Sequence, residues 1–240
     1  MFLAEFFGTF TLIVLGDGVV ANVLLNKSKG QNAGWIVITA GWAIAVMAGV
    51  FVSSSLGGPG SLNPAGVISG WVAPGGAANI GTDVVTILGQ FAGAFVGAVV
   101  VYLLYYAHWE VTSDAGLKLA VFSTGPAIRN PLWNLVTEIL ATFMLILVAG
   151  AIFSKTVGIG GTAGLGPVAI GGLIWGLGLS LGGPTGYALN PARDLGPRIA
   201  HFVLPIPGKG DSDWGYSWIP VVGPIIGAVL AMLVRVAIGL

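Results

Sequence analysis

The sequence has no cysteine, only two histidines and very little charge, and each of these scarcities excludes a class of protein. Without cysteine there can be no disulfide, no thiol nucleophile and no thiolate metal site. Two histidines give little basis for a histidine metal site. Nine basic and nine acidic residues give a formal net charge of zero, which offers no reason to expect nucleic acid as a partner. We therefore expect no metal and no other cofactor.

The chain is correspondingly rich in apolar residues and glycine. Of the 240 residues, 55% are hydrophobic, 8% are charged and forty are glycine. Soluble domains carry about one-quarter charged residues, so this composition indicates an integral membrane protein. The N-terminus lacks the basic region of a signal peptide and runs directly into an apolar segment.

Six apolar stretches approach the roughly 20 residues that a membrane-spanning helix needs. They are residues 2–25, 35–52, 84–107, 133–153, 168–181 and 214–234. A loop to Arg129 follows the third stretch, and a glycine-rich connection precedes the fifth. Residues 63–71 and 190–202 are too short to cross. The sequence predicts an all-α membrane protein with six transmembrane helices and two re-entrant half-helices.

The tetrapeptide Leu-Asn-Pro-Ala occurs twice, at residues 62–65 and 189–192. Proline suits the first helical position, where its missing N–H leaves no bond unmade, and asparagine suits the capping position before it. Each copy therefore predicts that a helix begins after Asn63 or Asn190.

The two tetrapeptides belong to a longer repeat. Residues 4–9 resemble residues 137–142, and each of these segments precedes its own Leu-Asn-Pro-Ala. Three spans in each copy force the second copy to be inverted in the membrane. We expect a single channel domain over residues 1–240, with repeats at about 1–107 and 131–240 joined by an outer loop. The two half-helices then enter from opposite faces and meet near the midplane.

Such an arrangement predicts a pore at the meeting point. Irregular backbone at membrane depth is tolerated where it lines a wet cavity or is buried in protein. Two helix N-termini contribute about half a positive charge each, which repels cations and orients neutral solutes that carry oxygen. Six backbone carbonyls are expected to supply acceptors in file, those of Pro59, Gly60, Ser61, Thr185, Gly186 and Tyr187.

The paired Leu-Asn-Pro-Ala motifs, the paired Glu5 and Glu138, and the segment 183–194 resemble the major intrinsic protein family, and within it the bacterial glycerol facilitators. The resemblance covers essentially the whole chain. It implies a multi-pass protein of the cell membrane that passes glycerol, related polyols and water passively through one pore per chain. It also implies a homotetramer in the lipid bilayer, without enzymatic activity.

The resemblance also implies a selectivity filter of four residues, namely Trp42, Gly178, Tyr187 and Arg193. Water-selective members resemble phenylalanine, histidine and a small residue at the first three of these positions. Glycine in place of histidine frees space, so that an aromatic pair can form an apolar corner facing the hydrogen-bond donors of Arg193. Val46 and Ile174 match positions on the apolar wall near the centre.

Several polar residues are expected to have supporting roles. Glu5 and Glu138 are predicted to accept hydrogen bonds from the backbone of the re-entrant loops, and Asp194 to shape the loop after the arginine. Asp17, inside the first span, is expected in the outer vestibule or at a subunit contact. His108 and His201 are expected near the membrane interface.

Three other functions remain open from the sequence. A mainly water-selective channel would differ in filter width. A facilitator of protonated weak acids such as lactic acid would use Arg193 and the Tyr187 phenol as hydrogen-bond partners. A proton-coupled transporter would need Glu5 and Glu138 as coupling groups.

Charge and resemblance disagree on orientation. The family places both termini in the cytoplasm, which leaves Lys155 and Arg235 inside and most other basic residues outside. The positive-inside rule favours the reverse. We expect the family orientation.

Overall fold

The computed structural model describes residues 1–159 and 164–240, and within these ranges the chain contains helices and no strand. The all-α prediction is therefore confirmed. The helices are α1 (Phe2–Leu24), α2 (Trp35–Ser55), α3 (Pro64–Gly70), α4 (Ile80–Leu104), α5 (Tyr106–Val111), α6 (Ala115–Phe122), α7 (Pro131–Ile152), α8 (Leu165–Leu181), α9 (Pro191–Val203) and α10 (Ile219–Ile238), with a 3-10 turn at Gly76–Asn79.

Five of these helices, α1, α2, α4, α7 and α10, are long and apolar enough to cross a membrane. The predicted fifth span, α8, is an apolar helix of 17 residues, which is the lower limit for crossing a bilayer. Part of the glycine-rich connection ahead of it, residues 160–163, lies outside the described residues. Helices α3 and α9 are the two predicted half-helices.

The connection between α4 and α7 was predicted as a loop, but it contains α5 and α6. Asp114 starts α6 by accepting hydrogen bonds from the N–H groups of Gly116 and Leu117, at 2.7 and 3.2 Å. Trp109 is fully buried, stacks on Phe122 and donates to the Tyr102 carbonyl at 2.9 Å. Buried aromatic surface and a helix cap therefore fold this connection over the end of the helix bundle.

Helix packing follows the same order in both halves of the chain. Helix α1 packs against α2 and α4, and α7 packs against α8 and α10. Each half-helix then packs against the third span of the other half, α9 on α4 and α3 on α10. The half-helices are thus enclosed by spans from both halves.

Glycines allow the closest of these contacts. A Cβ atom on Gly93 of α4 would lie 2.2 Å from the Phe6 carbonyl oxygen, and one on Gly227 of α10 would lie 2.2 Å from the Ile139 carbonyl oxygen. No side chain fits in either place, so the backbones are in direct contact. This close approach fixes α1 and α7, which carry the two buried glutamates.

Candidate functional site

The two half-helices are tied to each other through their capping asparagines. Asn63 Oδ1 accepts from the N–H of Ala65 at 2.9 Å, and Asn190 Oδ1 accepts from the N–H of Ala192 at 3.0 Å. Asn63 Nδ2 donates to the carbonyl of Leu189 at 2.8 Å, and Asn190 Nδ2 donates to that of Leu62 at 2.7 Å. Because a primary amide has two N–H groups, one donor on each asparagine is left after these bonds.

Both predicted glutamate supports are present. Glu5 accepts from the backbone N–H groups of Ser61 and Leu62 at 3.1 and 2.8 Å, and also from the side chains of Ser53 and Gln90. The glutamate is fully buried. The backbone N–H groups of a loop inside a membrane protein are shielded from water, so a buried carboxylate of this kind supplies the acceptor that they need.

Glu138 does the same for the second loop. It accepts from the N–H groups of Ala188 and Leu189, both at 3.0 Å, and from the hydroxyl of Thr185 at 2.7 Å. It too is fully buried. Each loop therefore rests on one carboxylate from the first helix of its own half.

The two loops share an unusual backbone conformation. The residues directly before the asparagines, Leu62 and Leu189, have φ of +53° and +57°. Three positions before each asparagine, φ is +63° at Gly60 and +40° at Tyr187. Glycine adopts this region freely, whereas a non-glycine residue there carries strain of about 1–3 kcal/mol. The second loop holds an aromatic side chain at that cost.

None of the six predicted carbonyl oxygens accepts a hydrogen bond from any residue that the structure describes. They belong to Pro59, Gly60, Ser61, Thr185, Gly186 and Tyr187. Unpaired carbonyls inside a membrane protein need water or a solute as partner.

A cavity of about 110 Å³ lies where the half-helices meet. Both asparagines line it, together with the predicted apolar wall residues Val46 and Ile174. A second cavity, of about 230 Å³, lies toward α6. The two cavities share four lining residues, which are Trp42, Gly186, Tyr187 and Arg193. We call this shared lining the constriction, and three of the four predicted filter residues come together there.

A third cavity, of about 430 Å³, lies beyond the first loop and shares Ser61 with the central cavity. Pro59 and Gly66 line this third cavity. The three cavities therefore adjoin one another in the order second, central, third.

Gly178, the fourth predicted filter residue, lines neither of the two cavities beside the constriction. A Cβ atom at Gly178 would lie 2.7 Å from both Cζ and Oη of Tyr187. The space that glycine frees is thus filled by the tyrosine ring. Gly178 shapes the constriction through Tyr187.

Trp42 and Tyr187 were predicted to form an aromatic corner together, but each ring contacts a different residue. Tyr187 makes an edge contact with the ring of Trp35, at 5.9 Å between centroids and 76° between planes. Trp42 instead presents its ring face to the guanidinium of Arg193, whose Cζ lies 4.0 Å from the ring centroid. A cation stacked on an indole face is more favourable than one beside an alkyl wall. Trp35 was missed because a tryptophan at the start of a span is typical of an interface anchor.

The Tyr187 hydroxyl is buried and has no hydrogen-bond partner among the described residues. A Cβ atom at Gly178 would lie 2.7 Å from this hydroxyl and 2.8 Å from the methyl group of Thr39. The hydroxyl therefore lies against α8, while Tyr187 lines the cavities on both sides.

Asp17 is fully buried, with its Oδ1 3.6 Å from Nη1 of Arg193. The expectation of a vestibule or subunit-contact residue is wrong. Helix α1 lies directly behind the constriction, because a Cβ atom on Gly16 would lie 2.3 Å from the Trp42 ring. The sequence does carry a signal, since a lone carboxylate inside a span needs a partner of opposite charge.

Asp194, which was expected to shape the loop, contacts Thr124 and Arg198. Its Oδ2 accepts from the N–H and the hydroxyl of Thr124 at 2.7 and 2.8 Å, and its Oδ1 lies 2.8 Å from Nη2 of Arg198. Arg198 is fully buried and also donates to the carbonyls of Ser212 and Thr124. This network anchors α9 to the connection between α6 and α7 and to the connection that follows α9, and Arg198 was not predicted to take part.

The two histidines have different environments. His201 is fully buried with Nδ1 2.8 Å from the Ser212 hydroxyl, and its expected position near the membrane interface stays a prediction. His108 is half-buried beside the Asn26 carbonyl at 2.9 Å. Within the described residues no group of three histidine, aspartate or glutamate side chains could hold a metal ion.

Comparisons with known proteins agree with this geometry. The family model described as "Major intrinsic protein" matches residues 1–235. The chain is 56% identical over 230 residues to the glycerol uptake facilitator protein of Streptococcus pneumoniae, covering 96% of this chain and 95% of that protein. It is 53% identical over 238 residues to the probable glycerol uptake facilitator protein of Thermotoga maritima, with 96% and 95% covered.

Among solved structures, the aquaglyceroporin from Plasmodium falciparum is similar with a TM-score of 0.81 and 29% identity, covering 98% of this chain and 93% of that one. The predicted aquaporin-like architecture of spans and re-entrant half-helices is confirmed by this similarity. The chain belongs to the major intrinsic protein family.

Proposed function

We propose that this protein is a passive channel for glycerol, related polyols and water in the cell membrane. The observation that carries the proposal is that Trp42, Tyr187 and Arg193 line both the cavity beside the paired asparagines and the cavity next to it. Relatives at 53–56% identity are named as glycerol uptake facilitators, which supports glycerol as the principal solute.

We infer that the lining of the central cavity divides into an apolar side and a polar side. Leu12, Val46, Val50, Leu145, Ile170 and Ile174 supply the apolar side chains. The asparagine amides and the unpaired carbonyls of Gly60, Ser61, Gly186 and Tyr187 supply the polar groups. A polyol has a carbon backbone and a row of hydroxyls, so it can slide along the first side while exchanging hydrogen bonds along the second.

The constriction is proposed as the selectivity filter. The side chains of Trp42 and Tyr187 limit the width of the opening, and Arg193 supplies N–H donors to passing hydroxyls. Gly178 admits the Tyr187 ring and so sets its position. In the centre, the N-termini of α3 and α9 disfavour cations.

A passive channel fits Glu5 and Glu138 better than a proton-coupled transporter does. Both carboxylates are fully buried, accept two backbone N–H groups each and line none of the three cavities. Neither is in a position to exchange protons with a passing solute. No enzymatic step is proposed for any of these residues.

The two halves are proposed to be inverted repeats, about 1–107 and 131–240, within one channel domain. We also propose a homotetramer with one pore in each subunit. Large apolar side chains stay exposed along the spans, for example Ile44, Leu88 and Leu140, and they fit contact with lipid or with neighbouring subunits. Light scattering of the detergent-solubilised protein would give four chains per particle; a single chain would contradict the tetramer.

Stopped-flow light scattering on proteoliposomes tests the transport function. An impermeant osmolyte should cause fast shrinkage, and glycerol should cause shrinkage followed by fast re-swelling, both relative to empty vesicles. Fast shrinkage without re-swelling in glycerol would identify a mainly water-selective channel instead. Acid uptake that rises as the pH falls toward the pKa of lactic acid would add weak acids to the solutes.

A further inference from the structure

Asp17 is a buried carboxylate that the pore described above does not use. Its side chain has no exposed surface, and neither of its oxygens has a hydrogen-bond donor among the described residues. A carboxylate without hydrogen bonds is unfavourable in an apolar interior unless a positive charge is close. Arg193, with Nη1 3.6 Å away, provides that charge.

Arg193 has no other carboxylate available to it within the contacts that the structure describes. Asp194, its neighbour in sequence, is fully engaged by Thr124 and Arg198. The guanidinium has the ring face of Trp42 on one side and donates one hydrogen bond, of 3.3 Å, to the Phe122 carbonyl. Its remaining N–H groups are free to face the cavities on either side of the constriction.

The acid and the base occur together at one end of the molecule. When the two repeats are aligned on their glutamates, Gly150 stands at the position that matches Asp17. When they are aligned on their asparagines, Gly66 stands at the position that matches Arg193. Each of the two charged residues is thus matched by an uncharged glycine in the other repeat. A carboxylate needed only for the packing of the repeated scaffold would have no reason to accompany the arginine.

We propose that Asp17 is a positioning residue that sets the specificity of the filter by cancelling the charge of Arg193 and fixing the direction of its guanidinium. The proposal rests on the constriction being the filter, as proposed above. With Asp17 present, the constriction offers hydrogen-bond donors without net charge, which suits neutral hydroxyl compounds. Without it, a lone positive charge in a low-dielectric opening would attract anions.

The test uses reconstituted full-length protein with four variants. Asp17→Asn removes the charge and keeps the shape, Asp17→Glu keeps the charge, and Asp17→Asn with Arg193→Gln removes both charges. Asp114→Asn is the matched control, because it makes the same chemical change at an exposed helix cap where asparagine caps equally well. Chloride influx is followed with a chloride-quenched dye inside the vesicles, and glycerol and water fluxes are followed by light scattering.

We expect Asp17→Asn to raise the chloride leak by about tenfold or more and to change the glycerol-to-water permeability ratio by at least about threefold, because an uncompensated charge acts strongly at low dielectric. Asp17→Glu should keep the leak low. The double variant should return the leak to the wild-type value, because no charge is then left uncompensated. A purely structural role would lower all fluxes together and would raise no anion leak.

If Asp17→Asn keeps both the chloride leak and the glycerol-to-water permeability ratio of the wild type, the proposal is overturned. If Asp17→Asn fails to fold, the double variant decides: folded protein with a low leak supports charge compensation, and a second failure to fold overturns it. Failure of the transport proposal is seen separately, as wild-type vesicles that do not admit glycerol.

Discussion

The two re-entrant loops have the same scaffold and different chemistry. Both start a helix with Asn-Pro, both rest on a buried glutamate, and both have positive φ at the first and third positions before the asparagine. After the asparagine they diverge, because Gly66, Val67 and Trp71 in the first half stand where Arg193, Asp194 and Arg198 stand in the second. The repeat therefore gives both loops the same scaffold, while the arginine of the proposed filter stands in the second half alone.

Helix length follows the same division. Helix α3 has seven residues, and α9 has thirteen. The longer α9 is held by the buried Asp194–Arg198 pair and by Lys209, which donates to the carbonyls of His201 and Leu204 at 2.8 and 2.7 Å near the helix end. The half-helix that carries Arg193 of the proposed filter is thus the more extensively anchored one.

The largest expected effect comes from removing the shared part of the scaffold. Glu5→Gln and Glu138→Gln each put an amide N–H against loop N–H groups, and leaving buried donors unpaired costs about 1–3 kcal/mol each. The free energy of unfolding of each variant should fall by about 3 kcal/mol or more, and most of its folded yield should be lost. Thermal unfolding in detergent measures the loss of stability. Glu110→Gln, on an exposed side chain, is the control and should behave as wild type.

Unequal effects in the two glutamate variants would refine the comparison. Glu5 also accepts from Gln90, at 2.6 Å, whereas Pro224 stands at the matching position near Glu138. Full stability in either glutamine variant would contradict the supporting role.

The second prediction makes the second loop resemble the first. Arg193→Gly together with Asp17→Asn removes the filter charge without leaving a lone buried carboxylate. We expect the leak of small monovalent cations to rise by about tenfold or more, because the constriction loses both bulk and its fixed donors. Cation flux into vesicles held at an imposed potential would measure this. An unchanged leak would place cation exclusion at the asparagines instead.

The third prediction concerns the position of the Tyr187 ring. Gly178→Ala puts a methyl group 2.7 Å from Cζ and Oη of Tyr187, so the ring must move toward the opening. Glycerol permeability should fall by about tenfold, and water permeability by less, because glycerol is the wider solute. Gly176→Ala is the matched control on the same helix, since its Cβ would meet no atom within 4 Å. Equal effects of the two substitutions would contradict the proposed role of Gly178.

The smallest effect is expected for Tyr187→Phe. The hydroxyl is buried and has no partner in the part of the chain that the structure describes, so its removal takes away an unsatisfied polar group and leaves the ring in place. Glycerol and water permeabilities should stay within about twofold of wild type, with equal or higher thermal stability. A large loss of flux would mean that the hydroxyl binds solute.

The sequence was most informative where function depends on a repeated local pattern. Asn-Pro at two places predicts both half-helices and both caps, and a carboxylate early in α1 and in α7 predicts both loop supports. Those interactions depend on backbone N–H groups, which every residue except proline provides whatever its side chain. The spans follow from composition, and their bounds differ from the prediction by a few residues.

The sequence was least informative where side chains from distant segments meet. The contact of Arg193 with Trp42, the burial of Asp17 behind it and the Trp35–Tyr187 contact depend on how α1, α2 and α8 are rotated against one another. Hydrophobic periodicity cannot give that rotation, because these helices are apolar on nearly every face. The glycines mark where another segment packs closely against a helix, but the sequence does not say which side chain fills the space beside each glycine.

The central claim is that solutes pass through the cavity between the half-helices, and the absence of cysteine allows a direct test. Ile174→Cys places one thiol on the cavity wall, and Leu179→Cys places one on the exposed side of the same helix. A small mercurial should reduce glycerol and water fluxes together to those of empty vesicles in Ile174→Cys, and leave Leu179→Cys and the cysteine-free protein unaffected. Undiminished flux in an Ile174→Cys protein whose thiol is shown by mass spectrometry to be modified would contradict the account.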